Sequence, residues 1–204
     1  MELWEELKAD AEKGARRLVD ECGGRLLTAA LHITQNAADA EDIVFRTLSQ
    51  VVSNIGKYDG RSAFFSWIYA IMLNFRRMDL RRRAANMLDF TDELPETADV
   101  RPDPAEAFVL GSSAEDVRKA VGTLPETLRV PLVLHYYEDY GVSEIAAMTG
   151  APSGTVKFRL HEGRRRLALS LVQSEFKNNV SHVNGNGNDR RKRQIRRADK
   201  NGAS

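Results

Sequence analysis

The chain has 204 residues, 42% of them hydrophobic and 29% charged, and 30 Lys and Arg against 29 Asp and Glu leave a formal net charge of +1. That is enough apolar material for one or two small cores, and no apolar run approaches the roughly 18 residues that a membrane span requires. The single cysteine, Cys22, excludes an intrachain disulfide and a cysteine-rich zinc site. The first residues, Met1 to Glu6, are acidic and amphipathic rather than basic and then apolar. They do not read as a secretory leader, and a cytoplasmic location is expected.

The near-neutral total hides segregated charge. Residues 89–110 carry seven acids and one base, a net of −6, whereas residues 174–204 carry eight bases and three acids, a net of +5. A third cluster is basic: Arg76, Arg77, Arg81, Arg82 and Arg83. A single block of this kind is often just a solvated face. Several basic blocks around an acidic one favour a polyanionic partner.

The chain reads as helix throughout. Helices are expected over 2–22 and 24–34. Asn36 is a natural N-cap for the next, with Asp39, Glu41 and Asp42 near its positive end. In that helix Val44, Leu48, Val51 and Ile55 recur at spacings of three and four. Asn54-Ile55-Gly56 ends it, and Lys57-Tyr58-Asp59-Gly60-Arg61 reads as a turn. Ser62 is expected to cap a long helix reaching about Leu88, with Phe64, Ile68, Ile71, Phe75 and Met78 as its apolar stripe.

Residues 89–110 combine the acids with Pro95, Pro102 and Pro104, the composition of a flexible linker. Ser112-Ser113-Ala114-Glu115 has the pattern of a capping box. Val117, Ala120, Val121 and Leu124 form the apolar face that follows. Pro125 suits a first helical turn, whereas Pro131 is expected to delay or bend its helix. Two short helices come next, Ser143 to Thr149 and Ser153 to about Val172, around the turn Gly150-Ala151-Pro152. Beyond them, an Asn- and Gly-rich stretch and the basic run read as disordered.

The 143–172 pair carries the sharpest local signal. Val156, Leu160, Gly163 and Leu167 form a buried seam, and the other faces hold Thr155, Lys157, Phe158, Arg159, His161, Glu162, Arg164 and Arg165. A helix that reads a major groove has this division between core stripe and polar faces, and an ordinary α-hairpin with a charged outer face is the competing reading. The stretch 57–83 holds six aromatics and seven bases. One helix cannot turn Phe64, Phe65, Trp67 and Tyr69 all toward one core, so some aromatics are expected at the surface, where rings beside arginines suit unpaired bases and phosphates. The alternative is that the rings cover other helices.

With these elements in order, the chain resembles the bacterial sigma-70 family, and within it the compact extracytoplasmic-function type. Three pieces carry the resemblance, over about residues 12–173. The first is Asp39-Ala40-Glu41-Asp42-Ile43-Val44. The second is Asp59-Gly60-Arg61-Ser62-Ala63-Phe64-Phe65-Ser66-Trp67-Ile68, with Asn74 and Asp79-Leu80-Arg81-Arg82-Arg83. The third combines Leu124-Pro125, Leu134-His135-Tyr136-Tyr137-Glu138, Glu144-Ile145-Ala146, Gly154-Thr155-Val156-Lys157 and Arg164-Arg165-Arg166-Leu167.

The resemblance implies an all-α protein of two small helical domains joined by a flexible acidic linker, the second with a helix-turn-helix. Residues 1–88 would hold core RNA polymerase and the minus-ten element, 89–111 the linker, and 112–173 the minus-thirty-five element, with a basic tail at 174–204. It implies a sigma factor directing promoter recognition, strand opening and transcription initiation, with no catalysis, cofactor, metal or membrane insertion. Core RNA polymerase and promoter DNA are the implied partners, with an anti-sigma factor as a candidate third. Polymerase contacts would fall on Asp39, Asp42, Phe45, Arg46 and Gln50. Minus-ten contacts would fall on Lys57, Arg61, Ser62, Trp67, Asn74, Arg76, Arg77 and Arg81, and minus-thirty-five contacts on Ser153, Thr155, Lys157, Phe158, Arg159, His161 and Arg164. The chain departs from the family pattern at Phe45 and Arg46, where Gln and an acid are usual. It departs again at Phe158, where a small polar residue is frequent, and at Glu162, where a base is frequent.

Other classes are weaker. The four histidines are scattered without ligand spacing, and no Gly-rich phosphate loop accompanies them, which disfavours an enzyme. A stand-alone regulator would not need the aromatic and arginine mixture of 57–83. An RNA-binding protein would rest on the tail alone.

Overall fold

The computed structural model describes residues 2–86 and 113–174. The expected linker over 89–111 lies outside them, as does the tail from residue 175 onward. The described residues are helical, with no strand among them.

The N-terminal segment begins with α1 (Leu3–Ala9) and α2 (Ala11–Leu18). One helix over 2–22 was the expectation, and Asp10 breaks it. Its backbone is extended, and its side chain accepts from the Lys13 N–H and so caps α2. The chain then folds back so tightly that a Cβ on Gly14 would lie 2.4 Å from Leu7 Cα. A π-helical turn (Val19–Gly23) leads into α3 (Gly24–Thr34) without a stop. Gln35, in the left-handed region at φ 56°, ends α3. Asn36 caps α4 (Ala37–Asn54) as expected, accepting from the Asp39 N–H at 3.0 Å.

A short 3-10 turn (Ile55–Lys57) and the Gly60 turn (φ 75°) precede α5 (Phe64–Asn86). Ser62 does not cap α5. The helix opens one residue later, with the Ala63 carbonyl accepting from the Trp67 N–H, while the Ser62 carbonyl accepts from the Tyr58 hydroxyl.

The C-terminal segment comprises α6 (Ala114–Thr123), α7 (Glu126–Tyr136), α8 (Val142–Thr149) and α9 over 153–174. Ser113 caps α6, accepting from the Asp116 N–H. Pro131 neither delays nor ends α7, which runs through it. Proline costs that helix one N–H, and burial of Leu128, Leu132, Val133 and Leu134 around it offsets the loss. Gly150 at φ 69° closes α8, and the Pro152 carbonyl opens α9 by accepting from the Val156 N–H. Ser153 therefore sits in the first turn rather than at the cap.

α3 packs on α4, α4 on α5, and the two segments meet where α3 touches α6 and α7 and where α5 lies on α8. One contiguous apolar cluster joins them: Leu26, Ile33, Ile43, Ile68, Tyr69 and Met72 from the first with Leu132, Leu134, Tyr140, Ile145 and Met148 from the second. The aromatic residues are settled by these neighbours. Tyr69 is fully buried against Tyr140, ring centroids 5.5 Å apart, and Phe64 and Trp67 share a half-buried cluster with Tyr58 and Trp4. Phe65 lies under the Arg25 guanidinium at 5.3 Å. The expectation of aromatics at the surface of α5 is met only in part: Tyr69 is buried, and Phe64, Phe65 and Trp67 are half-covered by Tyr58, Trp4 and Arg25, with Trp67 lining a cleft.

Candidate polymerase and nucleic-acid interface

α4 buries Ala40, Ile43, Val44, Thr47 and Val51, so the opposite side is presented to solvent. Asp42, Phe45 and Gln50 stand exposed there, and Phe45 is 71% exposed. Phe45 is a large apolar side chain set among polar neighbours on that side. Arg46 does not share that exposure. It is half-buried against α5, paired with both carboxylate oxygens of Asp79, within 3.0 Å of Asp42 and 4.9 Å over the Phe75 ring. Its positive charge is neutralised within the protein, and the Asp79 hydrogen bond raises its pKa. Asp39 also turns inward. Arg83 donates to it at 2.7 Å and Arg76 at 3.4 Å, and these cations, Arg83 foremost, hold its carboxyl below the ordinary range.

The turn before α5 exposes Lys57, Arg61 and Ser62. The Asp59 carboxylate holds Arg61 at 3.2 Å. Behind this turn a cleft of about 440 Å³ is lined by Arg61, Ser62, Ser66 and Trp67 on one side and by Ser143, Glu144 and Ala147 of α8 on the other. Further along α5, Asn74, Arg77 and Arg81 are exposed, with Arg77 donating to the Met148 carbonyl at 3.4 Å. Arg76 is not presented with them. It is 7% exposed and donates to Glu126 at 2.6 and 3.0 Å as well as to Asp39. The sequence placed it beside phosphate, and in this conformation carboxylates occupy its donors.

On α9 the seam is as expected: Val156, Leu160, Gly163 and Leu167 are all buried. The seam needs a glycine, since a Cβ on Gly163 would lie 2.7 Å from Leu132 Cδ1. Ser153 and Lys157 are exposed, while Thr155, Phe158, Arg159, His161 and Arg164 are half-buried. Arg164 donates to the Tyr136 hydroxyl at 3.2 Å. Glu162 is held by Arg165 and Arg166 at 2.8 and 2.7 Å, which brings its pKa from the ordinary 4.5 to about 2. Its charge is therefore matched within the helix. Thr155 and Arg159 line a second cleft of about 450 Å³ with Arg76, Arg77, Leu80, Glu126 and Pro131.

Sequence reasoning missed the residues that tie the segments together: Arg25, Glu126, Arg129 and Glu138. Glu126 reads from sequence as an ordinary first-turn acid, and Arg129 as a surface cation on an apolar helix. Nothing in spacing reveals a buried guanidinium. Arg129 is 8% exposed and donates to the carbonyls of Ile33, Gly122 and Leu124 at 3.0 to 3.1 Å.

Comparison with known proteins gives a consistent result. Residues 18–86 match the family model for sigma-70 region 2, and residues 114–167 match that for sigma-70 region 4. The chain is 28% identical over 142 residues to the ECF RNA polymerase sigma factor EcfG of Rhodopseudomonas palustris, covering 70% of this chain and 76% of that protein. It is 26% identical over 162 residues to the ECF RNA polymerase sigma factor SigW of Bacillus subtilis, covering 76% and 87%. Two solved structures share the fold. One is the sigma factor RpoE with the anti-sigma factor NepR from Bartonella quintana, with TM-score 0.60, 23% identity, and 76% of this chain and 95% of that one covered. The other is CnrH with the cytosolic domain of CnrY, with TM-score 0.59, 20% identity, and 84% and 96% covered.

Proposed function

The chain belongs to the sigma-70 family as an extracytoplasmic-function sigma factor, which binds core RNA polymerase and recognises promoters for transcription initiation, and we propose the following division of labour among its residues. Residues 1–88 form the domain that holds polymerase and the minus-ten element, and 112–173 the domain that reads the minus-thirty-five element. The linker at 89–111 spans the two, its net −6 suited to a cationic channel.

Polymerase docks on the α4 ridge through Phe45, Asp42 and Gln50. Asp39 and Arg46 meet polymerase only where their pairs with Arg76, Arg83 and Asp79 open. Phe45 carries the largest share, since truncating an exposed ring that becomes fully desolvated typically costs 2 kcal/mol or more. The 153–165 part of α9 enters the major groove. Ser153 and Thr155 meet phosphate at the helix N-terminus, Lys157 and Arg159 meet bases or phosphates, and Phe158, His161 and Arg164 flank them. The turn Lys57–Ser62 with Trp67 takes an extruded base of the minus-ten element. Extrusion costs a few kcal/mol, and stacking returns about 1–3. Asn74, Arg77 and Arg81 track the adjoining backbone, and Arg76 joins them once its carboxylate partners move away.

The chain supplies recognition and strand opening, and the polymerase supplies catalysis. Its place of action is the cytoplasm, where polymerase and promoter are. An anti-sigma factor is a further partner, supported by the two fold relatives that were solved with one bound.

The observation that carries this reading is the order of features along one chain. An exposed phenyl ridge, a cationic aromatic cleft and a groove-reading helix follow one another, on segments that match region 2 and region 4. Run-off transcription from genomic DNA with purified core polymerase tests it. Addition of the protein is expected to give discrete mapped start sites sharing two spaced elements. Starts identical to those of core polymerase alone would overturn it.

A further inference from the structure

We propose that α1 is a positioning element for strand opening: through Trp4 and Lys8 it holds Tyr58, and Tyr58 holds the turn that works with Trp67 on the extruded base. The proposal rests on the reading of that turn given above. It adds residues that lie outside both family matches, which cover 18–86 and 114–167.

The turn has little to fix it from within. Lys57, Asp59, Gly60, Arg61 and Ser62 are all exposed, and Gly60 lies in the left-handed region at φ 75°. Tyr58 alone is buried among them, at 6% exposure, so it is the peg of the turn. Its hydroxyl donates to the Ser62 carbonyl at 2.5 Å, which ties the near end of the turn to the far one. Its ring meets Phe64 and Trp67 of α5, with centroids 5.1 and 5.3 Å away. The remaining contacts come from α1. Trp4 meets the Tyr58 ring edge-on at 5.7 Å, and Lys8 Nζ donates to the Tyr58 carbonyl at 3.1 Å. Lys8 Nζ also lies 4.8 Å over the Trp4 ring, so one amine links both halves of the contact.

α1 is seated firmly enough to serve as a brace. Leu3 and Leu7 are buried, and the nearly buried Glu6 is gripped by Lys13 at 2.6 Å and Arg17 at 2.8 Å of α2. Leu7 meets α2 where Gly14 allows the close approach. Trp4 and Lys8, four residues apart, share the side of α1 that meets the turn. Stacking captures a base only if the receiving ring is in place when the base leaves the duplex. A turn free to wander would have to be ordered at that moment, and the lost entropy would slow opening. Holding Tyr58 from both sides orders the turn in advance. The effect falls on the opening step, since Trp4 and Lys8 are on neither the α4 ridge nor α9.

The test uses the full chain in saturating holoenzyme, on a promoter fragment carrying one of the start sites mapped by run-off transcription. Opening is read as the rate at which minus-ten thymines become reactive to permanganate. Trp4→Leu and Lys8→Met should each open about fivefold more slowly than wild type, with closed-complex affinity and helicity unchanged. Trp4→Phe and Lys8→Arg should keep most of the rate, since each retains a ring or a charged donor. On top of Tyr58→Leu, Trp4→Leu should add no further loss. Wild-type rates in Trp4→Leu and Lys8→Met beside a slow Trp67→Ala would overturn the proposal and leave the base-capture reading standing. A full loss from Trp4→Leu that persists on top of Tyr58→Leu would overturn it as well. If Trp4→Leu loses helicity, Lys8→Met decides, because Lys8 is exposed and outside the core. Should Trp67→Ala open as fast as wild type, the base-capture reading falls instead, and the proposal with it.

Discussion

Gly163 and Gly154 lie on the same helix, and replacing each by alanine should move stability in opposite directions. At Gly163 the new Cβ would lie 2.7 Å from Leu132 Cδ1 and 3.1 Å from Leu132 Cγ, with the Leu128 carbonyl oxygen at an ordinary 3.6 Å. Carbon atoms rest about 3.5 to 4.0 Å apart, so Leu132 must retreat by roughly 0.8 Å. Leu132 is 3% exposed and belongs to the shared core, where retreat means displacing other side chains. Overpacking of that kind costs about 1–3 kcal/mol, against about 1 kcal/mol gained in helix propensity, for a net loss near 1 kcal/mol. At Gly154 nothing lies within 4 Å, so only the propensity gain operates, reduced to about 0.5 kcal/mol near the helix start. The difference of about 1.5 kcal/mol corresponds to roughly 3–6 °C in melting temperature for a chain of this length. Thermal unfolding followed by circular dichroism measures it. A Gly163→Ala protein that melts above wild type, as Gly154→Ala should, would refute the account of how α9 is seated on α7.

Four further outcomes follow from the same contacts. Arg129→Ala leaves the carbonyls of Ile33, Gly122 and Leu124 buried without their donor, and urea titration should show a loss of about 2–4 kcal/mol; a loss within 0.5 kcal/mol would contradict it. Lys157→Ala should weaken promoter binding and reduce the slope of log affinity against log salt by about 1 if the contact is to phosphate, and an unchanged slope in a salt titration removes that role. Trp67→Ala should leave duplex binding intact and impair strand opening, so permanganate reactivity at the minus-ten element as strong as wild type would reject it. Glu162 has its folded pKa lowered from 4.5 to about 2, so its pairs stabilise the fold above about pH 4.5 and are lost as pH falls toward 2. Glu162→Gln should flatten that part of the acid-unfolding curve, and an identical curve would show that Arg165 and Arg166 contribute nothing there.

Local chemistry made most of the elements readable. The Asn36 cap, the α4 period and the Gly150 turn are decided by a few neighbouring residues, and the sequence specifies them almost directly. The seam of Val156, Leu160, Gly163 and Leu167 was equally visible, because a helix that buries one stripe must repeat at three and four. Errors arose where a backbone feature competed with periodicity. Asp10 splits an otherwise continuous helical pattern, and Pro131 is tolerated within one. Of the residues that the resemblance offered for polymerase, Phe45, Asp42 and Gln50 face outward, whereas Asp39 and Arg46 are claimed by arginines and an aspartate 33 to 44 positions away.

By itself, then, the sequence determined a helical chain, several of its caps and turns, and the buried seam of the helix that follows Gly150. The tertiary structure alone decided which charges remain available. Arg76 and Arg77 are adjacent and chemically identical, yet one is buried on Glu126 and the other lies open. Periodicity reports which side of a helix meets apolar neighbours. A guanidinium satisfies itself with whichever carboxylates the fold brings within about 3 Å, and those partners sit tens of residues away, where no local pattern reaches.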